Sequence, residues 1–221
     1  MNEHSVWVFV HVMLLVYWLG ADLGVLLLAR AAKRAELPFG ERAFALKMAI
    51  TIDLTPRLCF ALMLPVGLQV TASGGFAAVP GWLLAAAWAL ALGWILLLFA
   101  IGRNEGKPAA ETYGRMNLGL QAVLMLVVGA VGLSSLLGNG PVPGGWFAAK
   151  LLGFALIFAT SIGIDFAFRP VVPAFVRLAS EGSTPDIERS IAAAIDGAIR
   201  YVLGLYALLI AIAFLGVVKP F

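Results

Sequence analysis

Two side chains of opposite charge, Asp53 and Arg57, stand four residues apart inside an apolar run from about residue 48 to 70. A run of that length crosses a bilayer as a helix. Arg57 falls near its middle, where a guanidinium costs about 2.5–3.5 kcal/mol on insertion scales. Asp53, one helical turn away on the same face, offsets part of that cost by pairing with it. Pro56 and Pro65 each remove a backbone donor and free a carbonyl one turn earlier. Such helices persist where neighbouring helices or waters satisfy the freed groups. The chemistry this predicts is an arginine facing a polar interior, where it holds an anion, a water chain or a cofactor group. The plainer alternative is an Asp–Arg pair that fixes helix packing.

Other apolar runs carry polar stripes at helical spacing. His11, Trp18 and Asp22 share a face of the first run, at offsets of seven and four. Lys150, Phe154, Ile157, Ser161 and Asp165 share a face of the fifth, and Asn117 and Gln121 a face of the fourth. Lys150 could instead snorkel to headgroups, but a lipid-facing stripe would not carry Ser161 and Asp165. Asp196 and Arg200 form another four-residue pair at the start of the last run, read as an exposed pair at a helix start. The third run has no charge between Trp82 and Ile101, which predicts a lipid-facing periphery for it, with Trp88 and Trp94 as packing residues. The core is then built from runs one, two, five and six, with the fourth assisting. Layers follow: His11 and Lys150 outermost, Arg57 in the middle, Asp22, Asp53 and Asp165 inside, and Asp196 with Arg200 at the mouth. Basic groups above acids suit an anionic ligand outside and a proton or ion path inside, through Asp22, Asp53, Asp165 and Asp196.

Candidate metal ligands are His11, Cys59 and Met63. Cys59 and Met63 share a helix face, and thiolate, thioether and imidazole together suit copper(I). Cys59 lies about 200° around the helix from Arg57, at 100° per residue. If Arg57 faces the core, Cys59 is expected to face away from it. With only His4 and His11 in the chain, haem held by two histidines of one chain is not expected, whereas a haem b with a single histidine ligand is open. There is no CxxC, no histidine pair one helical turn apart and no glycine-rich phosphate loop.

The elements that must position these residues are transmembrane helices. The chain has 221 residues, 62% of them hydrophobic and 12% charged. A soluble domain carries about 25% charged residues, so this is an all-α polytopic membrane protein in a single bundle. Its net charge of +3 reflects basic loops rather than nucleic-acid binding. Six spans are expected, at about 5–29, 48–70, 81–102, 116–137, 146–168 and 197–218, with the first retained rather than cleaved as a signal peptide. The connections 30–47, 103–115 and 169–190 are basic, whereas 71–80 and 138–145 carry no charge. The positive-inside rule then puts both termini outside, in the periplasm of a bacterial inner membrane, with Trp7, Trp82 and Trp146 at the outer helix ends. A weak helix-hairpin repeat relates 57–103 to 115–169: an arginine, a helix, a glycine-rich turn, Gly-Trp, a helix and an arginine.

The stretch from His11 to Gly24, HVMLLVYWLGADLG, resembles the first helix of the bacterial copper-resistance D family. The stretch from Arg115 to about Pro173 resembles that family's core, with an arginine opening a helix, a glycine-rich turn, and Ala149-Lys150-Leu151-Leu152 starting the next helix. The resemblance implies handling or transport of copper or another small solute. The same parts are similar, more distantly, to HemJ-type protoporphyrinogen oxidases, which pair a first-helix histidine with a lysine and bind haem. That likeness implies a haem-binding oxidoreductase or electron-transfer subunit, in which His11 meets iron or relays protons and Arg57 and Lys150 receive propionates. Against both, the chain lacks a methionine- or histidine-rich outer segment, and it has six spans where the HemJ type has about four. A non-catalytic subunit of a larger membrane complex, or a homo-oligomer, is the remaining class.

Overall fold

The computed structural model describes residues 2–220. Among these, all regular structure is helical: α1 (Glu3–Ala32), α2 (Phe39–Ser73), α3 (Gly81–Arg103), α4 (Pro108–Leu136), α5 (Trp146–Phe168), α6 (Val171–Glu181) and α7 (Pro185–Val218). Six are long and apolar enough to cross a membrane, as the sequence predicts. The helices begin where local chemistry allows. The Asn2 side chain accepts a hydrogen bond from the His4 amide at the start of α1. Thr184 does the same for Ile187 at the start of α7, with Pro185 in the first turn.

The six long helices follow one another around a closed ring. α1 packs on α2, α2 on α3, α3 on α4, α4 on α5 and α5 on α7, and α7 returns to α1. Small residues bring some of these helices close. A Cβ on Gly132 of α4 would stand 2.8 Å from the Leu152 backbone nitrogen of α5, and one on Gly163 of α5 would stand 2.5 Å from the Tyr201 ring of α7. The ring encloses a core of Trp18, Phe60, Trp94, Phe154, Phe158 and Leu209 with aliphatic neighbours. α3 presents Trp82, Leu92, Leu96 and Phe99 outward, as expected of a lipid-facing helix, and Trp94 is a packing residue on its inner face. It is buried in the core, and its indole N–H donates to Asn117 Oδ1 on α4 at 2.8 Å.

Both termini lie at the same end of the ring. His4 contacts Ser73 and Phe76 between α2 and α3, and Lys219 lies over Phe76 and over Trp146 at the start of α5. This terminal end holds the charge-free connections. The opposite, basic end holds the charged ones.

At the basic end the helices run further than the apolar spans do. α2 starts at Phe39 rather than near 48, and α7 at Pro185 rather than near 197. At 1.5 Å per residue each is about 50 Å long, against about 30 Å of hydrocarbon. The excess of α2 and α7 packs with α6 and the end of α1 into a second apolar cluster, including Ala32, Leu46, Val171, Phe175, Leu178, Ile187, Ile191 and Ile195. The segment read as the loop 169–190 thus contains a helix. Its apolar residues recur at helical spacing among polar ones, which a search for continuous apolar runs passes over. The proposed hairpin repeat holds only as helix order. Arg57 is in the interior, whereas Arg115 pairs with Glu111 on the surface at 2.6 Å.

Candidate functional site

Arg57 is held from two sides. Its Nε donates to Asp53 Oδ2 at 2.5 Å, one turn back on α2, and its Nη2 donates to Asp165 Oδ1 at 3.0 Å on α5. The second contact joins the two layers assigned to Arg57 and Asp165 from sequence. A guanidinium so placed is neutralised by two carboxylates, with about a third of its side chain still exposed. Its charge is therefore committed within the protein and not free for a propionate or other anion.

Asp22 of α1 lies within electrostatic reach of this triad. It is 6% exposed, and its Oδ2 has no hydrogen-bond partner. The Tyr206 hydroxyl of α7, also buried, lies beside it at the margin of hydrogen-bond contact, and among the described residues is the one group placed to donate to Asp22. The layer thus gathers three carboxylates, Asp22, Asp53 and Asp165, around one guanidinium, two negative charges in excess when all are ionised. Tyr206 was not anticipated, because nothing in its spacing relates it to Asp22. Its proximity comes from the closure of α7 on α1.

The layer is bounded on the terminal side by aromatic rings. Trp18 is four residues from Asp22 on α1, or about 6 Å along the axis, and tilts onto Phe60 at 4.9 Å. Phe60 meets Phe158 at 4.6 Å, Trp94 at 5.3 Å and Phe154 at 5.8 Å. Trp18 was expected to line a ligand site, but it packs in this barrier at 3% exposure. Cys59 and Met63 are buried in the same core. The expectation that Cys59 faces away from the core is therefore corrected. The ring of helices surrounds enough of α2 to bury two of its faces.

Beyond the barrier, toward the terminal end, lie the basic groups. His11 is seven residues from Trp18, about 10 Å along α1. Its ring packs on Gly67 of α2, with Cε1 3.6 Å from where a Cβ would stand, and its Nδ1 is buried without a partner. Lys150 of α5 is within electrostatic reach of His11, and Lys219 within reach of Lys150. The Lys150 Nζ lies against Gly216 of α7, where a Cβ would approach it to 2.6 Å. Among the described residues Lys150 forms no salt bridge. Lys219 joins this set by its contacts with Phe76 at 4.3 Å and Trp146 at 5.4 Å to ring centroids. The sequence reading passed over it because it follows the last span.

Asp196 is not part of the interior. It pairs with Lys33 at the end of α1, while Arg200 reaches only its backbone oxygen, at 3.4 Å. The expected Asp196–Arg200 side-chain pair is corrected accordingly, because the turn after α1 brings a closer cation. Nearby, Arg42 is 2% exposed and makes three hydrogen bonds: 2.8 Å to each carboxylate oxygen of Glu188 and 2.9 Å to the Ala32 carbonyl. Glu188, in the first turn of α7 ahead of the spanning stretch, is held below the usual carboxylate range by the Arg42 hydrogen bonds. This fork was not anticipated, since both residues stand in segments read as loops.

The fit of the implied groups can be judged from this geometry. His11 is level with Gly67, and Cys59 is eight residues further along α2, about 12 Å. One copper ion cannot bind both at bonds near 2 Å. Among the described residues no group of three or more His, Cys, Asp and Glu side chains gathers as a ligand set. For a haem, the His11 edge bearing Nδ1 packs on Gly67, which leaves Nε2 as the nitrogen that would meet iron, while two carboxylates already pair with Arg57 and compete with any propionate. Comparison with protein-family models, curated proteins and solved structures finds no match.

Proposed function

We propose that the chain is a small-solute handling protein of a bacterial inner membrane, with the terminal end in the periplasm. It holds a small anion between His11 and Lys150 and exchanges protons through the acidic layer around Arg57. One observation carries this reading: His11 and Lys150, with no carboxylate in a salt bridge to Lys150 among the described residues, lie on one side of an aromatic barrier, and an acid-rich layer lies on the other. An anion is attracted to the first and repelled by the second, so crossing requires the excess negative charge to be reduced. Protonation of Asp22 does that. Its carboxyl would gain a donor hydrogen, and the Tyr206 hydroxyl beside it can accept that hydrogen or pass it on. The resemblance to the copper-resistance D family supports solute handling in general, but the ligand chemistry favours a hard anion over copper.

The test is proton uptake into proteoliposomes containing a pH dye, driven by inward gradients of chloride, nitrate or inorganic phosphate. The wild type is expected to acidify the lumen with at least one of these anions, and Asp22→Asn is expected not to. Equal acidification by both proteins, or none with any of the three anions, refutes the coupling.

A further inference from the structure

Away from the polar core, a cleft of about 390 Å³ opens between α2 and α6 at the basic end. Its walls are apolar: Phe39, Leu46 and Ile50 from α2 face Val172, Phe175 and Val176 from α6. Its rim is not. Lys47 and Thr51 of α2 stand on it with Glu105 from the turn between α3 and α4. Among the described residues neither Lys47 nor Glu105 forms a salt bridge. The Thr51 hydroxyl donates to the Lys47 carbonyl at 2.8 Å, which leaves its oxygen free to accept.

An apolar cleft with an unpaired cation and an unpaired anion on its rim matches a ligand of the same pattern. We propose that this cleft binds one phospholipid with a primary-amine zwitterionic headgroup, its acyl chain along the α2–α6 walls, its phosphate on Lys47 and its ammonium on Glu105. The position suits it. Lys47 immediately precedes the spanning stretch of α2, at the depth of headgroups. α6 is short and amphipathic, with Val172 and Val176 exposed, as in helices that lie in the interface. The rim also discriminates. Glu105 repels an anionic headgroup, and a quaternary choline has no N–H to donate to Glu105 or Thr51, whereas a primary ammonium has three. The proposal is independent of the anion reading, because no residue is shared.

Native mass spectrometry of the full chain released from nanodiscs of equal phosphatidylethanolamine, phosphatidylcholine and phosphatidylglycerol tests this. The wild type is expected to retain phosphatidylethanolamine over each of the others by roughly threefold to tenfold, the worth of one added hydrogen bond. Glu105→Lys should shift retention to phosphatidylglycerol, and Lys47→Glu should abolish the preference. All three residues on the rim are exposed, so the thermal stability of each variant serves as a check that it folds. Retained lipid that mirrors the nanodisc composition, or a preference unchanged in both variants, overturns the proposal. So does a dimer crosslinked through Val172 and Ile50 positions, which would make the occupant a second copy of the chain.

Discussion

Arg57 and Asp165 are 108 positions apart in the chain, and their side chains meet at 3.0 Å across the bundle. Asp53 completes the contact at 2.5 Å from the other side. Removing the arginine alone leaves two carboxylates facing each other and Asp22 in low dielectric, which is the costly way to break such a group. Arg57→Leu is therefore expected to lower the thermal midpoint in detergent more than the triple variant Arg57→Leu/Asp53→Asn/Asp165→Asn does. Independent, additive losses in a thermal-shift cycle would show that the three groups are not coupled.

A second expectation concerns the basic end. Arg42→Leu removes the fork on Glu188, which keeps only the Ser183 hydroxyl as a donor, at a cost of about 1.5–3 kcal/mol for lost hydrogen bonds to a charged group. The pH dependence has a definite sign. Because the folded value of Glu188 is depressed, its contribution is fully present above the unfolded value of about 4.3. It is lost as pH falls through the lower folded value. Chemical unfolding of the wild type between neutral and acid pH should thus show an acid-side loss that is much smaller in Arg42→Leu. Parallel curves for the two proteins would contradict this.

How much of this was legible in the sequence depends on whether a contact is local. Asp53 and Arg57 are one turn apart, so their pair was readable from spacing, and the stripe of His11, Trp18 and Asp22 likewise lies on one inward face. The six spans were readable because continuous apolarity needs no tertiary context. What failed was non-local. The Arg57–Asp165 bond, the Asp22–Tyr206 proximity, the Lys33–Asp196 pair and the Arg42–Glu188 fork all depend on which helices are neighbours. Charge content placed α3 correctly at the periphery but gave no sign of the bond from the Trp94 indole to Asn117, because it too joins two helices. The burial of Cys59 was missed because only the face bearing Arg57 was assigned to the core, although α2 has neighbours on more than one side.

Orientation supplies a third expectation. The basic connections lie at one end and both termini at the other, so a reporter active only in the cytoplasm and fused after Phe221 should be silent. An active fusion would put the His11–Lys150 group in the cytoplasm and reverse the direction in which the anion enters.

The central claim is that the terminal-end basic group, and not a soft-ligand set at Cys59, holds the ligand. Its most direct measurement is the thermal midpoint of the purified protein titrated with chloride, nitrate, inorganic phosphate and copper(I), in the wild type, Lys150→Gln, His11→Ala and Cys59→Ala. The account predicts that at least one anion raises the midpoint in the wild type and in Cys59→Ala, and that neither Lys150→Gln nor His11→Ala responds. A midpoint raised by copper(I) alone, lost in Cys59→Ala and retained in Lys150→Gln, would contradict it.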